Sequence, residues 1–529
     1  MDALEKTGTA VVASLVALVS YVVAAHIIHP LFISPIGKLP GPKIPTSYFF
    51  LVGHMPILTQ SELGLQLSKW ARQYGPLVRQ YRLFNQPGVL LTSPSGVRRV
   101  LATHSHLYGK NSLQILKMKE VLGPGVLLVY GEDHKRQRAV CNPSFRVTNI
   151  NSMIPDFIDS AFELQASWND LFEASTNPTL EIKISDEMSK PTLDVIGRCG
   201  FGYAFNSVSG GSSVLYENIS TLLGASGFKY MIVDTLFPFA ELFVPSIKRR
   251  HQQTLNARNK IAEITQGLVE DKKKRLQNGE DDDKAADLLT LVIKANLEAD
   301  AKNRLSHEEV MSQVLIFLLA GHETTSLSLS YGLEQLAKNP STQEKLRQEL
   351  RQEMETKNST PPTDYLLSTS SYLDAVLKET LRFSTPGKVR ENQQNNLTFS
   401  QVPAFHRIAL EDDVIDGYPI PKGTFINMSP EAMHKNPEFW GPDVDEFKPE
   451  RWQTGDQDRP FGSFMPFSMG NANCIGSRFA MLEFKAIFAV LVRGFEFSET
   501  TDGFKYKKEI QATARPIPYL KLNVTRVED

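Results

Sequence analysis

Near the C-terminal end, Phe467-Ser468-Met469-Gly470-Asn471-Ala472-Asn473-Cys474-Ile475-Gly476-Ser477-Arg478-Phe479-Ala480 sets one cysteine in a glycine-rich loop, and a helical apolar pattern follows from Arg478. A thiol at the start of a helix meets the positive end of the dipole and free backbone N–H groups, which favour the thiolate. One thiolate is one ligand. With Cys141 and Cys199 the sequence has three cysteines, too few for a zinc or iron–sulfur site built on sulfur. A lone thiolate suits a metal that already has four ligands, which means a heme iron with an axial cysteine. Cys141 and Cys199 read as buried packing residues.

A second constellation lies inside a helix. Ser306-His307-Glu308-Glu309 has the capping-box spacing, with Ser306 as N-cap and Glu309 at N3. Val310, Val314, Phe317 and Leu318 continue at helical spacing, and the pattern runs to Pro340. Such a helix is too long and too apolar for the surface of a small domain. Its middle reads Ala320-Gly321-His322-Glu323-Thr324-Thr325. A glycine, a carboxylate and two hydroxyls are locally costly in a buried helix, and such a break in consistency is where chemistry is expected. A satisfied polar kink is the plainer alternative.

These elements need a body to hold them. The chain has 529 residues, 41% hydrophobic, with a formal net charge of −2. That composition excludes collagen-like, disordered and multi-span membrane classes. Near-neutral charge offers no basic face for nucleic acid, and three cysteines cannot form a disulfide framework. Residues from about 60 to 350 read as mostly helical, with loops expected at Pro87-Gly88, Gly123-Pro124-Gly125 and Gly279 to Lys284. Leu236 to Pro245 is apolar but broken by prolines, fitting core packing, a substrate mouth or a second membrane-dipping patch.

At the N-terminus, Ala10 to Ile28 is apolar apart from Ser14, Ser20 and His26. At 1.5 Å per residue the stretch reaches about 28 Å, close to the hydrocarbon thickness of a bilayer. Asp2, Glu5 and Lys6 make a poor basic region for a cleaved signal. Lys38 and Lys43, with no acidic residue before Glu62, put the C-terminal side in the cytoplasm. The expected organisation is a membrane anchor over 1–33, a proline-rich linker over 34–59 and one large catalytic body over 60–529. Sequons at Asn218, Asn358, Asn396, Asn427 and Asn523 should then carry no sugar.

Four separated motifs, in order, resemble those of a cytochrome P-450, a membrane-anchored heme-thiolate monooxygenase of eukaryotic, fungal type. They are Ala320 to Thr325, Glu379-Thr380-Leu381-Arg382, Pro449-Glu450-Arg451-Trp452, and the loop of Phe467, Gly470, Cys474 and Gly476. The resemblance implies a mainly α fold with small β-sheets, preceded by one transmembrane helix. It implies heme b as cofactor with Cys474 as the axial ligand, and Phe467 packed near the sulfur. Glu379, Arg382 and Arg451 would form a buried ion-pair triad. Glu323 and Thr324 would deliver protons, with Glu323 connected to solvent, and Gly321 would leave room for oxygen beside the helix. The heme propionates would meet His134 and Arg138, one helical face in Glu132 to Arg138, and Arg407. Here His134 stands where the family has tryptophan. Lys135 and Arg136 would face the reductase.

The implied reaction puts one atom of O2 into a hydrophobic small molecule, such as a terpenoid or a polycyclic aromatic xenobiotic. Electrons would come from an NADPH-dependent flavoprotein reductase at the endoplasmic reticulum, with lipid around the anchor and no nucleic acid as partner. The pocket would draw on Ser112 to Val121, Leu236 to Pro245, Leu315 to Leu319 and Val402 to Phe405. A heme-thiolate isomerase or dehydratase, or a non-catalytic remnant, are the competing classes. The Glu323–Thr324 pair argues against the isomerase.

Two positions depart from the family. Ala472 stands where an arginine or histidine normally meets a propionate. After Arg382-Phe383-Ser384-Thr385-Pro386 the segment Gly387 to Gln401 intervenes, and its removal joins Pro386 to Val402-Pro403-Ala404-Phe405-His406-Arg407 in the family's pattern. Gly387-Lys388 can be encoded GGTAAG, Phe399-Ser400-Gln401 TTCTCACAG and Leu397-Thr398 with CTGAC. Those resemble an intron donor, acceptor and branch site, so residues 387–401 read as an unspliced intron; a genuine polar loop is the alternative.

Overall fold

A computed structural model describes residues 2–44, 52–54, 57–58, 63–110, 113–211, 217–218, 221–222, 240–279, 287–355, 360–383, 405–453, 459–500, 507–510 and 514–527. The chain is mostly helical with small sheets. Residues 387–401 lie outside the described set, as do Ser112, 236–239 and Val402 to Ala404 of the expected pocket and most of the acidic run after Gly279.

Helix α1 spans Asp2–Val23 and widens into a π-helical turn over Ala24–Ile33 that contains Pro30. Proline removes a helical donor and crowds the preceding turn, and a π turn accommodates both. The apolar span is therefore Val12–Ile33, past the Ile28 end read from hydropathy alone. The linker is not free: the Arg79 backbone N–H donates to Pro40 O at 2.9 Å and its Nη1 to Gly37 O at 2.7 Å.

Strands β1 (Leu77–Tyr81) and β2 (Pro87–Leu91) form a hairpin. Pro87-Gly88 is thus strand, not the expected loop. Proline is tolerated as a first strand residue, and Gly88 admits the neighbouring backbone, since a Cβ there would lie 3.1 Å from Phe425 O. Next come β3 (Tyr108–Gly109), α2 (Gly131–Cys141), α3 (Ile154–Glu173), α4 (Ile184–Val195) and α5 (Pro245–Gln277). Leu242 and Phe243, just before α5, are exposed.

The long helix α6 spans His307–Lys338, and its capping box is complete, with Ser306 Oγ accepting from Glu309 N and Glu309 accepting from Ser306 N. It is buried along most of its length. Helix α7 (Tyr372–Phe383), strands β4 (Phe405–Ala409) and β5 (Phe425–Met428) and helix α8 (Ser477–Gly494) follow. The main sheet has the order β1-β2-β5-β4-β3. The largest apolar core unites α3, α4, α6, α7 and α8, and Cys141 and Cys199 are buried within it. A second core packs on the sheet.

Candidate active site

The cysteine loop closes on itself. Cys474 N donates to Phe467 O at 2.8 Å, and Asn473 N to Gly470 O at 3.2 Å. Gly470 has φ +73°, and a Cβ on it would stand 1.9 Å from Leu101 O, so only glycine fits there. Gly476 caps α8, and a Cβ there would meet only Phe145 Cε1, at 3.9 Å. The protein itself leaves that side of the loop open. Phe145 in turn packs edge-on against Phe317 of α6, with centroids 5.3 Å apart. The cysteine loop and the polar turn of α6 thus meet through one aromatic residue.

Cys474 is solvent-accessible, yet protein surrounds it closely enough for burial to raise its thiol. The hydrogen bond from Gly476 and the charge of Arg138 oppose the shift but do not overturn it. A coordinated metal is what displaces the proton of such a buried thiol.

Positive charge gathers beside this loop. Arg138 Nη1 donates to Asn473 O at 2.7 Å, Nη2 to Asn473 Oδ1 at 3.0 Å and Nε to Asn142 Oδ1 at 2.8 Å. Lys110, directly after β3, donates to Leu127 O at 3.0 Å. Burial pulls Lys110 down to about 7, with Arg407 and Arg138 adding to the shift. Burial likewise takes His134 to about 4, aided by Lys110, Arg138 and Arg407, so it is neutral at pH 7. Arg407 is held at about 10 by burial, and its Nη1 donates to His406 O at 2.8 Å. Among the described residues no carboxylate pairs with Lys110, His134, Arg138 or Arg407. Such a cluster calls for an anion. The two carboxylates of a heme, with Cys474 for its iron, fit the donors present. Lys110 escaped the sequence reading, because nothing in its spacing ties it to α2 or β4.

On α6 the polar turn divides by direction. Ala320 is exposed and Thr324 half-buried on a helix otherwise buried nearby, and Thr324 Oγ1 donates to Ala320 O at 2.8 Å. Glu323, on the neighbouring side, is buried, only 2% exposed. A Cβ on Gly321 would fall 2.8 Å from Ile196 Cδ1. Its missing side chain makes room for Ile196, in the turn after α4.

The triad is assembled as the motifs imply. Arg382 Nη2 lies 2.7 Å from Glu379 Oε1 and Nε 2.9 Å from Oε2, while Arg451 Nε reaches Oε1 at 3.0 Å. Arg382 also donates to the carbonyls of His434, Val444 and Glu446. Both Glu379 and Arg382 are fully buried. Lys135 is exposed, whereas Arg136 is held by Glu309.

The family model described as Cytochrome P450 matches residues 42–524. Cytochrome P450 monooxygenase 205 of Postia placenta is 32% identical over 518 residues, covering 92% of this chain and 90% of that protein. Cytochrome P450 monooxygenase 128 of the same fungus is 32% identical over 543 residues, covering 95% and 93%. Cytochrome P450 monooxygenase claP of Ampulloclitocybe clavipes is 29% identical over 482 residues, covering 87% and 86%. A match that runs from the linker into the last strand, over a site of this chemistry, settles the affiliation: the chain belongs to the cytochrome P450 family, monooxygenases that carry heme b, and is an oxidoreductase of that class.

Proposed function

We propose that this chain inserts one oxygen atom of O2 into a hydrophobic small molecule, a secondary metabolite such as a terpenoid or a polycyclic aromatic xenobiotic. Electrons come from an NADPH-dependent flavoprotein reductase. The N-terminal helix anchors the protein in the endoplasmic reticulum with the body over 60–529 in the cytoplasm. The observation that carries the reading is the accessible Cys474 thiol beside a cationic cluster that, among the described residues, pairs with no carboxylate.

Bound through Cys474, heme supplies oxygen activation. Lys110, Arg138 and Arg407 hold its carboxylates by charge, and neutral His134 holds one as a hydrogen-bond donor. Lys110 provides, from a different segment, the charge absent at Ala472. Phe467 and Gly470 shape the loop that orients the sulfur, and Gly476 leaves the adjoining face open. Thr324, anchored on Ala320 O, positions a water at the open face of α6, and Glu323 passes protons to it from inside. Glu379, Arg382 and Arg451 fix the segment ahead of the loop. We read residues 387–401 as a retained intron, and sequencing the transcript across that junction decides it: a mature message that still encodes them ends the idea.

The reduced, carbon monoxide-bound spectrum tests the site. The thiolate-ligated band is expected in the purified protein and absent in Cys474→Ala. A binding-shift screen of terpenoids and polycyclic aromatics then tests the substrate class, and uniform silence across both sets would sink it.

A further inference from the structure

The cytosolic end of the anchor is bonded to the catalytic body. Asn85 Nδ2 donates to His26 O at 2.8 Å, His26 Nδ1 lies 3.2 Å from Phe84 O, and Tyr81 Oη donates to Pro30 O at 3.3 Å. The His26 and Phe84 rings are 5.8 Å apart. All three body residues belong to the β1–β2 hairpin. Its tip is strained, because Phe84 and Asn85 both have positive φ, +57° and +51°. Asparagine tolerates that region, whereas a bulky phenylalanine is an outlier there, and such strain persists only where the surroundings over-determine it. Asn85 is fully buried under the anchor, while the Phe84 side chain is 41% exposed.

His26 and Pro30 fall inside the apolar span Val12–Ile33, not beyond it. At 1.5 Å per residue, His26 sits about 10 Å inside the span's end, the depth at which interfacial aromatic groups lie. We propose that the Phe84–Asn85 tip is a membrane-interface foot: Asn85 grips the anchor at His26, and Phe84 seats in the boundary between lipid headgroups and acyl chains. Anchor, linker and body then tilt as one unit. Arg79 continues the join below, bonded to Gly37 and Pro40. Gly41 is what lets the linker lie so close, since a Cβ there would stand 2.8 Å from Arg79 O. This inference rests on the anchor reading of the N-terminal helix.

The test uses full-length, heme-loaded Phe84→Trp in phosphatidylcholine vesicles with brominated acyl chains, with wild-type emission subtracted. Flotation comes first. A chain that does not float with the vesicles removes the anchor reading and this one with it. In floating protein, the introduced indole is expected to emit at blue-shifted wavelength and to be quenched by brominated lipid. An indole that aqueous iodide quenches and brominated lipid does not would overturn the foot while leaving the anchor intact. Adding Asn85→Ala should weaken the lipid quenching with flotation and the thiolate-heme spectrum unchanged; an unchanged signal overturns the grip. Hydrogen exchange across residues 81–85 on vesicles needs no change at Phe84. Slow exchange that Asn85→Ala releases supports the grip, and fast exchange in both chains defeats it.

Discussion

Arg136 on α2 and Glu309 at the start of α6 form a two-point ion pair between residues 173 positions apart in sequence. The same carboxylate accepts from Ser306 N at 2.8 Å and from Gln137 Nε2 at 2.9 Å. One glutamate therefore starts α6 and ties it to α2, the helix that presents His134 and Arg138.

Burial alone would raise the Glu309 carboxyl, but Arg136, the Ser306 N–H and Gln137 outweigh it and hold the group below the ordinary glutamate range. A depressed carboxylate stabilises the fold above its unfolded pKa, about 4.3, and loses that contribution as pH falls through the folded value. Glu309→Gln should cost about 1.5–3 kcal/mol, the range for a bond to a charged group. Thermal melting checks it: the gap to wild type should stay constant from neutral pH down to the unfolded pKa and close below it.

Lys110 gives the opposite signature. Its folded pKa, about 7, lies below the unfolded lysine value, so the buried charge costs stability fully below the folded pKa. The cost fades as pH rises toward the unfolded one. Lys110→Met should accordingly raise the melting temperature of heme-free protein at pH 6, with the gain shrinking at alkaline pH. In the heme-loaded protein the same change should speed heme loss to apomyoglobin, because an anion partner disappears. A destabilised heme-free Lys110→Met would contradict the assignment.

Breaking the triad should be costly. Removing one member of a buried ion pair typically costs about 3–5 kcal/mol, so Glu379→Gln and Arg382→Ala should yield little folded protein. Arg382→Lys should not rescue it, since one ammonium cannot make the five bonds of the guanidinium fork. Folded yield by size exclusion and heme content per chain measure the outcome.

Thr324→Ala should leave folding intact but separate NADPH consumption from product formation. General acid–base contributions of about 10²–10⁴ set the scale of the loss. Glu323→Gln should slow turnover and enlarge the solvent isotope effect. Unchanged product per NADPH in Thr324→Ala would remove the threonine from the proton path.

Local rules read well wherever the physics is local. The capping box at Ser306 and Glu309 located α6 to the residue, because both bonds are made within one turn. The cysteine loop was equally legible, since its glycines and cysteine sit together in sequence. What escaped depends on the third dimension. Lys110 joins Arg138 and Arg407 only when β3, α2 and β4 converge. That Gly321 packs against Ile196 shows only once the turn after α4 crosses α6. Burial raises the Cys474 thiol, and that burial is set by segments remote in sequence. Pro87-Gly88 carried turn residues yet became strand, with the turn displaced to Leu83–Asn85.

The fit of Gly470 against Leu101 O also sets an order of events in biosynthesis. At about 5–20 residues per second, Leu101 is made roughly 20–75 s before Gly470. The loop proposed to hold the heme iron is among the last segments synthesised, and it needs an early one as its mould. A chain stalled before Gly470 can complete its N-terminal sheet elements but cannot retain iron. Heme capture is consequently a late checkpoint, and it reports on the folding of nearly everything synthesised before it.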